Sequence, residues 1–252
     1  MNILLNYIKK TCYRRIKSCI IKNKWGEVMR RSEKVLKIKE IFDEVYKDAK
    51  CSLDYTKDYE LLIAVVLSAQ CTDKRVNIVT KDLFEKYKTL ESFAQCDINE
   101  LESIVMPCGF YKTKARNIKA LAQKIIEEHN GKIPDTMEEL TALPGVGRKT
   151  ANLILGDVYH KPALVIDTHA IRLTGRIGLT KETDPKKIEF DLKKFVPDNY
   201  SIHFCHQLVW HGRSICTARN PKCEVCPITH LCKHYKERQE IKNGKRKQNF
   251  GS

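Results

Sequence analysis

The chain has 252 residues and carries 46 Lys and Arg against 31 Asp and Glu, which gives a net charge of +15. A hydrophobic content of 42% excludes a wholly disordered chain, and the length suffices for one large domain or two smaller ones. The longest uninterrupted apolar run, Leu61 to Leu67, is far shorter than the ~20 residues that a membrane-spanning helix needs. We therefore expect a soluble protein with no membrane attachment.

The positive charge is concentrated at the two ends of the chain. Residues 1–34 hold ten Lys and Arg against two acids, and residues 233–252 hold seven against two. We interpret these segments as a basic N-terminal extension and a basic C-terminal tail, which suit a polyanion such as nucleic acid or serve only solubility. Met29 stands directly before Arg30 and the first convincing helix, and it is a candidate start of the working protein.

Apolar residues recur at helical spacing through most of the chain between the two tails. They do so in the ranges 35–45, 61–67, 76–84, 118–126 and 188–195. No strand-like alternation of useful length interrupts them. The sequence therefore predicts an all-α fold.

Several helix starts are marked by capping residues. Thr72 stands at the start of one helical pattern, and capping boxes begin at Asp97 and at Thr136. Asp184 followed by Pro185 supplies a cap and a first-turn proline. These signals predict four helix N-termini.

A glycine-containing turn joins two apolar helical stretches. Its sequence is Leu-Pro-Gly-Val-Gly, with glycines at Gly145 and Gly147, and Arg148 and Lys149 follow directly. Glycine permits positive φ and close backbone approach, and a bare helix N-terminus binds phosphate through its free amides and its dipole. The segment is either a hairpin that holds a nucleic-acid backbone or an ordinary turn between helices.

Four of the eleven cysteines crowd into seventeen residues near the C-terminus. They are Cys216, Cys223, Cys226 and Cys232. An odd total argues against a closed set of disulfides in a secreted protein, so we expect a reducing compartment and a metal site here. The residues alone leave zinc and an iron–sulfur cluster open, although a single two-residue-spaced pair is unusual for zinc.

Six segments taken together resemble the endonuclease III family of DNA glycosylase/AP lyases, in the helix-hairpin-helix glycosylase superfamily. They are LSAQCTD at 67–73, GFYKTKARNI at 109–118, LPGVGRKTAN at 143–152, IDTHAIR at 166–172, HGR at 211–213 and the cysteine spacing from Cys216 to Cys232. The resemblance implies two all-α subdomains flanking a DNA-binding cleft, in a glycosylase domain at 35–232. A six-helix bundle would span about 56–165. The other subdomain would join about 35–55 to 166–232.

The resemblance also implies the chemistry. Lys149 would be the nucleophile and Asp167 its carboxylate partner, although Asp167 alone reads as a helix cap. The enzyme would remove oxidised pyrimidines from duplex DNA through a Schiff base and cut 3′ to the abasic site by β-elimination. The four cysteines would hold a [4Fe–4S] cluster, and the partner would be duplex DNA with damaged pyrimidines or abasic sites, bound by a monomer.

Seven residues are expected to contact DNA on the same grounds. They are Gln70, Phe110, Gly145, Gly147, Arg148, Arg219 and Lys222. Gln70 would fill the space of the extruded base, and Phe110 would wedge near the opposite strand. Many family members carry an aliphatic residue in place of Phe110, which leaves opposite-base preference open. Plain core packing is the alternative for Phe110.

Two other functions compete with this one. A monofunctional adenine or mismatch glycosylase is disfavoured because such relatives usually lack a lysine at the position of Lys149. A non-catalytic DNA-binding module is disfavoured because Lys149 and Asp167 are both present. We expect an intracellular location, in the cytoplasm with the nucleoid or in the nucleus, with organelle targeting left open.

Overall fold

The computed structural model describes residues 29–249, apart from the side chains of residue 242 and residues 244–249. Within these residues the chain forms twelve α-helices with no strand, which confirms the predicted all-α fold. The helices are α1 (Arg31–Val45), α2 (Asp58–Ser68), α3 (Asp73–Lys86), α4 (Leu90–Gln95), α5 (Ile98–Val105), α6 (Tyr111–His129), α7 (Met137–Thr141), α8 (Arg148–Asp157), α9 (Thr168–Ile177), α10 (Pro185–Leu192), α11 (Ser201–Ser214) and α12 (Lys233–Asn249). Most of the predicted N-terminal extension, residues 1–28, lies outside the described residues.

The described chain divides into two compact units. The central unit is the continuous segment Cys51–Val165, which contains α2 to α8. The terminal unit combines the described residues up to Lys50 with those from Ile166 onward, and it contains α1 and α9 to α12. The central unit thus has seven α-helices where the resemblance implies six, and two of them, α4 and α7, have only six and five residues.

The core of the central unit is built around α2. All seven residues of Leu61–Leu67 are buried, so this helix is enclosed on every side. Ile118, Leu121 and Ile125 of α6 form a buried stripe at helical spacing, and each such side chain contributes roughly 1.5–3 kcal/mol when fully buried. In residues 29–249, no helix combines the length and apolar character required to cross a membrane.

The predicted helix starts are present, but neither of the two predicted capping boxes is complete. At α7 the Glu139 carboxylate accepts from the Thr136 hydroxyl at 2.6 Å instead of from the Thr136 amide. Thr72 caps α3 by accepting a hydrogen bond from the Arg75 amide, and Asp97 caps α5 by accepting one from the Glu100 amide. The Glu100 carboxylate does not complete a capping box. It accepts a hydrogen bond from the Tyr87 hydroxyl at 2.9 Å, because α3 brings that side chain within reach.

The terminal unit is held together by contacts between distant parts of the chain. α1 buries Phe42, whose ring lies 5.0 Å from the ring of His211 in α11. The Tyr46 hydroxyl lies 2.8 Å from Nδ1 of the same histidine. The Lys34 ammonium donates to the carbonyl of Ile177 at the end of α9, at 3.1 Å. This unit therefore forms only when both ends of the described chain meet.

Candidate functional site

The two glycines of the turn between α7 and α8 differ in backbone conformation and in the space around them. Gly145 has φ 77°, and a Cβ there would lie 2.9 Å from Nδ2 of Asn117. Gly147 caps α8 with φ −99°, and a Cβ there would meet nothing within 4 Å. The first hydrogen bond of α8 runs from the Ala151 amide to the Gly147 carbonyl at 2.9 Å, so the preceding amides face outward from the helix end. The turn has the features of a phosphate-binding helix N-terminus.

Lys149 is the second residue of α8. Its side chain is exposed. It makes neither a hydrogen bond nor an ion pair with any other residue of the described chain. Arg148, directly before it, is half-buried and begins the helix. The hairpin therefore presents a lysine ammonium at the helix end where phosphate would bind.

Asp167 is the N-cap of α9 and is half-buried. Its Oδ1 accepts a hydrogen bond from the Ala170 amide at 2.7 Å. Its Oδ2 makes no hydrogen bond with the described part of the chain. The helix-cap interpretation is confirmed, and it leaves one carboxylate oxygen for another role. Asp167 belongs to the terminal unit and Lys149 to the central unit, so their pairing remains a prediction.

Gln70 and Phe110 share an unusual backbone conformation. Their φ angles are 54° and 49°, in the left-handed region that side chains other than glycine rarely adopt. Such a residue costs of order 1–3 kcal/mol and persists where its surroundings hold it. Gln70 is exposed and Phe110 is 66% exposed. The core-packing alternative for Phe110 is therefore wrong, because its ring faces solvent.

The four clustered cysteines surround one pocket in the terminal unit. Cys216, Cys223, Cys226 and Cys232 all line it, together with apolar and basic side chains and no acidic residue. All four are free thiols. Within the described residues, no three His, Cys, Asp or Glu side chains are close enough to share a single metal ion. A pocket ringed by four thiols has the donor set that a [4Fe–4S] cluster takes.

The crowding of these thiols affects their protonation. Burial raises the pKa of Cys226 to about 12, and the neighbouring thiols of Cys232 and Cys216 act in the same direction. Burial also raises the pKa of Cys232, again with a contribution from Cys216. Four thiolates here would repel one another. A positively charged iron–sulfur core would relieve that repulsion, so the residues fit the group.

Two donor groups lie beside the sulfur atoms, and neither was predicted to do so from the sequence. An Arg176 guanidinium nitrogen lies 3.4 Å from Sγ of Cys216. The Nε2 atom of His211 lies 3.6 Å from Sγ of Cys226. Donors near cluster sulfurs tune and orient a metal site. The HGR motif contains His211, but no motif contains Arg176, whose partner Cys216 lies 40 positions further along the chain.

Arg176 also holds the loop between the first two cysteines. It donates to the carbonyl of Thr217 at 2.8 Å and to that of Ala218 at 2.7 Å. The two predicted DNA-contact residues of this loop, Arg219 and Lys222, are both exposed. The loop therefore presents two cations from a backbone that α9 fixes in place.

Comparison with protein families agrees with this geometry. Residues 63–198 match the model of the HhH-GPD superfamily of base excision DNA repair proteins, and residues 216–232 match the iron–sulfur binding domain of endonuclease III. Endonuclease III of Synechocystis sp. is 45% identical over 207 residues, which cover 80% of this chain and 93% of the relative. Endonuclease III of Bacillus subtilis is 39% identical, covering 78% and 90%. The chain belongs to the endonuclease III family.

Solved structures of the family have the same fold. An endonuclease III in a non-covalent complex with DNA matches with a TM-score of 0.78 at 39% identity, over 84% of this chain and 100% of that chain. A thermostable thymine-DNA glycosylase matches with a TM-score of 0.71 at 22% identity, which shows the fold alone. This endonuclease III family member is therefore a base excision repair enzyme that binds DNA, with DNA glycosylase and AP lyase activity. Its segment 216–232 is the [4Fe–4S] binding domain.

Proposed function

We propose that this enzyme removes oxidised pyrimidines from duplex DNA with Lys149 as the nucleophile and then cuts the strand 3′ to the abasic site. The observation that carries the proposal is the state of Lys149. Its exposed side chain stands at the open N-terminus of α8, and no carboxylate of the described chain pairs with it. Phosphate contacts at this helix end would bring the amine close to a sugar. Because the amine forms no ion pair, it is available to attack that sugar.

The reaction follows from the chemistry of an amine and a sugar. The Lys149 ammonium first gives a proton to solvent. Its Nζ atom, now a neutral amine, forms a bond to C1′ as the bond from C1′ to the damaged base breaks, and the base leaves with a proton. The sugar ring opens to a protonated Schiff base, which acidifies the proton on C2′. Loss of that proton and departure of the 3′ phosphate complete the β-elimination. Hydrolysis of the imine then frees Lys149.

Asp167 would stabilise the positive charge that develops on the sugar as the base leaves. The Ala170 amide holds Oδ1 of Asp167 at 2.7 Å, which fixes the carboxylate at the start of α9. Oδ2 has no partner in the described part of the chain and is available to face the substrate. A carboxylate held in advance does not have to be reoriented during the reaction.

Base recognition would depend on extrusion of the damaged nucleotide. Extrusion costs a few kcal/mol, and less for a damaged or mispaired base. Gln70 would fill the vacated space and Phe110 would wedge beside the opposite strand. Both side chains are exposed, as this role requires.

Backbone binding would involve two further surfaces. Gly145, Gly147 and Arg148 would hold phosphate at the hairpin, and Arg219 with Lys222 would hold phosphate at the cluster loop. The cluster would be held by the four cysteines of the 216–232 segment. When bound, it supplies a rigid link between parts of the loop rather than redox chemistry in turnover. None of these contacts reads the base sequence.

A solved relative supports the covalent mechanism. An endonuclease III that is 39% identical to this chain, with a TM-score of 0.78, has been trapped as a covalent intermediate with DNA. That chain is covered over its full length. The same chemistry in this chain needs a nucleophile at the hairpin, and Lys149 is the candidate there.

The finer partners and the location belong to the same proposal. We expect a monomer, without membrane attachment, acting on duplex DNA that carries damaged pyrimidines or abasic sites. The nine cysteines in the described part of the chain are free thiols, which agrees with a reducing compartment such as the cytoplasm with its nucleoid, or the nucleus. Sedimentation should give the monomer mass of 29.2 kDa.

Borohydride trapping tests the nucleophile. The native protein, incubated with a duplex that carries one thymine glycol and then reduced, should give a covalent protein–DNA adduct. Lys149→Gln should give none, because an amide cannot form a Schiff base. Release of base by the native protein without an adduct would point to a monofunctional glycosylase instead. An adduct that persists in Lys149→Gln would exclude this residue as the nucleophile.

A further inference from the structure

Two turns of the central unit place Gln70 and Phe110 in solvent. One turn follows α2, which ends at Ser68, and the other precedes α6, which begins at Tyr111. Both residues have a left-handed backbone conformation, although neither is glycine. Their side chains can reach a duplex together only if the two turns keep a fixed spacing. A group that touches both turns would fix that spacing.

Lys114 is such a group. Its ammonium donates to the carbonyl of Leu67 at 2.9 Å and to the carbonyl of Cys108 at 2.8 Å. Leu67 stands three residues before Gln70, and Cys108 stands two residues before Phe110. The Lys114 side chain is only 4% exposed, so water competes little for these bonds.

The helix dipole favours a cation at this position, and burial opposes one. The carbonyl of Leu67 is among the last of α2, where the helix dipole favours positive charge. Burial lowers the pKa of Lys114, while the nearby thiols of Cys108 and Cys71 act in the opposite direction. The backbone amide of Lys114 also donates to the carbonyl of Phe110 at 3.0 Å. One residue thus contacts both turns through three hydrogen bonds.

We propose that Lys114 is a positioning residue for base extrusion. Its ammonium fastens the turn after α2 to the turn before α6, so that Gln70 and Phe110 enter the duplex as one unit. Lys114 touches neither the sugar nor the base. The inference rests on the proposed roles of Gln70 and Phe110. It adds the hydrogen bonds of Lys114 that keep the two side chains at a fixed spacing.

The same helix contains a matched lysine for comparison. Lys119 of α6 donates through its ammonium to the carbonyl of Cys96 at 2.7 Å, in the turn between α4 and α5. That turn carries none of the residues proposed to contact DNA. Lys119 therefore makes the same type of bond from the same helix to a different turn, and Lys119→Met controls for the general loss of such a bond.

The first experiment measures extrusion without any chemistry. A duplex with a tetrahydrofuran abasic analogue and a neighbouring 2-aminopurine brightens when the base unstacks. The native protein and Lys119→Met should give the same rise in fluorescence at saturating protein. Lys114→Met should lose most of the rise, because its turns are no longer fastened. A full rise with Lys114→Met would overturn the proposal.

The second experiment compares two substrates. Single-turnover release of thymine glycol from a duplex should fall about 10- to 100-fold in Lys114→Met, the loss expected when contact groups are misplaced by about 1 Å. The borohydride adduct on an abasic site in single-stranded DNA needs no extrusion, and its yield should stay within about twofold of native. Equal losses on both substrates would show general damage and overturn the proposal. The native single-strand adduct tests the proposed nucleophile chemistry separately.

A mutant cycle keeps the proposal testable if the methionine variant is unstable. Lys114→Gln keeps one amide group as a donor and should show an intermediate loss of extrusion. In a Gln70→Ala, Phe110→Ala background, either Lys114 substitution should cost little further activity, because residues that act through one another are not additive. Full additivity, or native extrusion by Lys114→Gln, would show that Lys114 acts elsewhere.

Discussion

At the scale of single residues, Asp167 illustrates how one side chain serves both fold and chemistry. Its Oδ1 caps α9 through the Ala170 amide, and its Oδ2 has no hydrogen bond within the described part of the chain. A helix cap is a common use of aspartate, and that use alone explains nothing about catalysis. The two roles can be separated because asparagine caps a helix as well as aspartate does but carries no charge.

We expect the free energy of unfolding of Asp167→Asn to lie within about 0.5 kcal/mol of the native value. That of Asp167→Ala should be lower by about 1 kcal/mol. Both should release thymine glycol roughly 100-fold more slowly, since both lack the charge that stabilises the developing cation. Chemical denaturation and single-turnover kinetics measure the two effects. Native base release by Asp167→Asn would exclude a role for the carboxylate charge.

The sequence identified single residues unevenly. Lys149 and Asp167 were singled out as candidates because family motifs surround them, and their catalytic roles stay predictions. Lys114 received no role, because a lysine in the basic run GFYKTKAR reads as a solvated cation. Its burial depends on a carbonyl acceptor 47 positions earlier in the chain, which no local pattern reveals. The left-handed backbone of Phe110 was likewise not predicted.

At the scale of secondary structure elements, the hairpin depends on one of its two glycines for its shape. Gly145 combines a φ of 77° with a close approach to Asn117 of α6. Gly147 has an ordinary φ and open space around it. The amide-rich end of α8 therefore keeps its position through Gly145 and its openness through Gly147.

Gly145→Ala should cost about 1–2 kcal/mol of unfolding free energy, because alanine is strained at this φ and its Cβ meets Asn117. Gly147→Ala should cost only about 0.5 kcal/mol, the difference between the two residues as helix caps. Urea denaturation of both variants tests the contrast. Equal stabilities would mean that the turn relaxes around Gly145.

The link between α9 and the cluster loop allows a second test at this scale. Arg176→Met removes the bonds to Thr217 and Ala218 and the donor beside Cys216. We expect the purified variant to lose its absorption near 400 nm several-fold faster under a chelator, because ligand-orienting partners are typically worth about 10- to 100-fold in metal affinity. Arg116→Met is the control, since that guanidinium bonds a carbonyl of its own helix. Equal decay in the two variants would remove Arg176 from cluster retention.

Elements were more predictable than their partners. The helix starts at Thr72 and Asp97 were correct, because a cap and the amide it satisfies lie within a few residues. The side-chain partner of Glu100 was missed because Tyr87 directly follows α3, and α4 separates it from α5 in the sequence. Local hydrogen bonds follow from sequence, and bonds between helices require the packed structure.

At the scale of the whole molecule, charge is distributed in a way that the fold does not explain. The two ends carry most of the net +15. The C-terminal segment continues as α12, and residues 1–28 lie outside the described residues. The sequence shows these cations but does not reveal what they touch. Apolar periodicity predicted helical content throughout. The grouping of helices into two units was expected only from the family resemblance, because it depends on contacts between positions more than 100 residues apart.

Deletion of residues 1–28 should weaken the salt dependence of DNA binding if this segment binds phosphate. Each phosphate that the truncated protein no longer neutralises lowers the slope of log K against log salt by about 0.9 for duplex DNA. Fluorescence anisotropy at several salt concentrations, with an undamaged duplex, measures the slope. An unchanged slope would assign the N-terminal cations to solubility alone.

The terminal unit has a consequence for synthesis of the protein. Among the described helices α1 leaves the ribosome first, but the acceptor of Lys34 at Ile177 follows 143 positions later, and the partner of Tyr46, His211, follows 165 positions later. Because synthesis adds about 5–20 residues per second, the apolar face of α1 stays unpacked for on the order of ten seconds or more. The central unit emerges in one piece during that interval and has its own core. A nascent chain therefore carries a folded central unit together with α1, whose apolar face is still exposed. Chaperones bind exposed apolar surface of this kind.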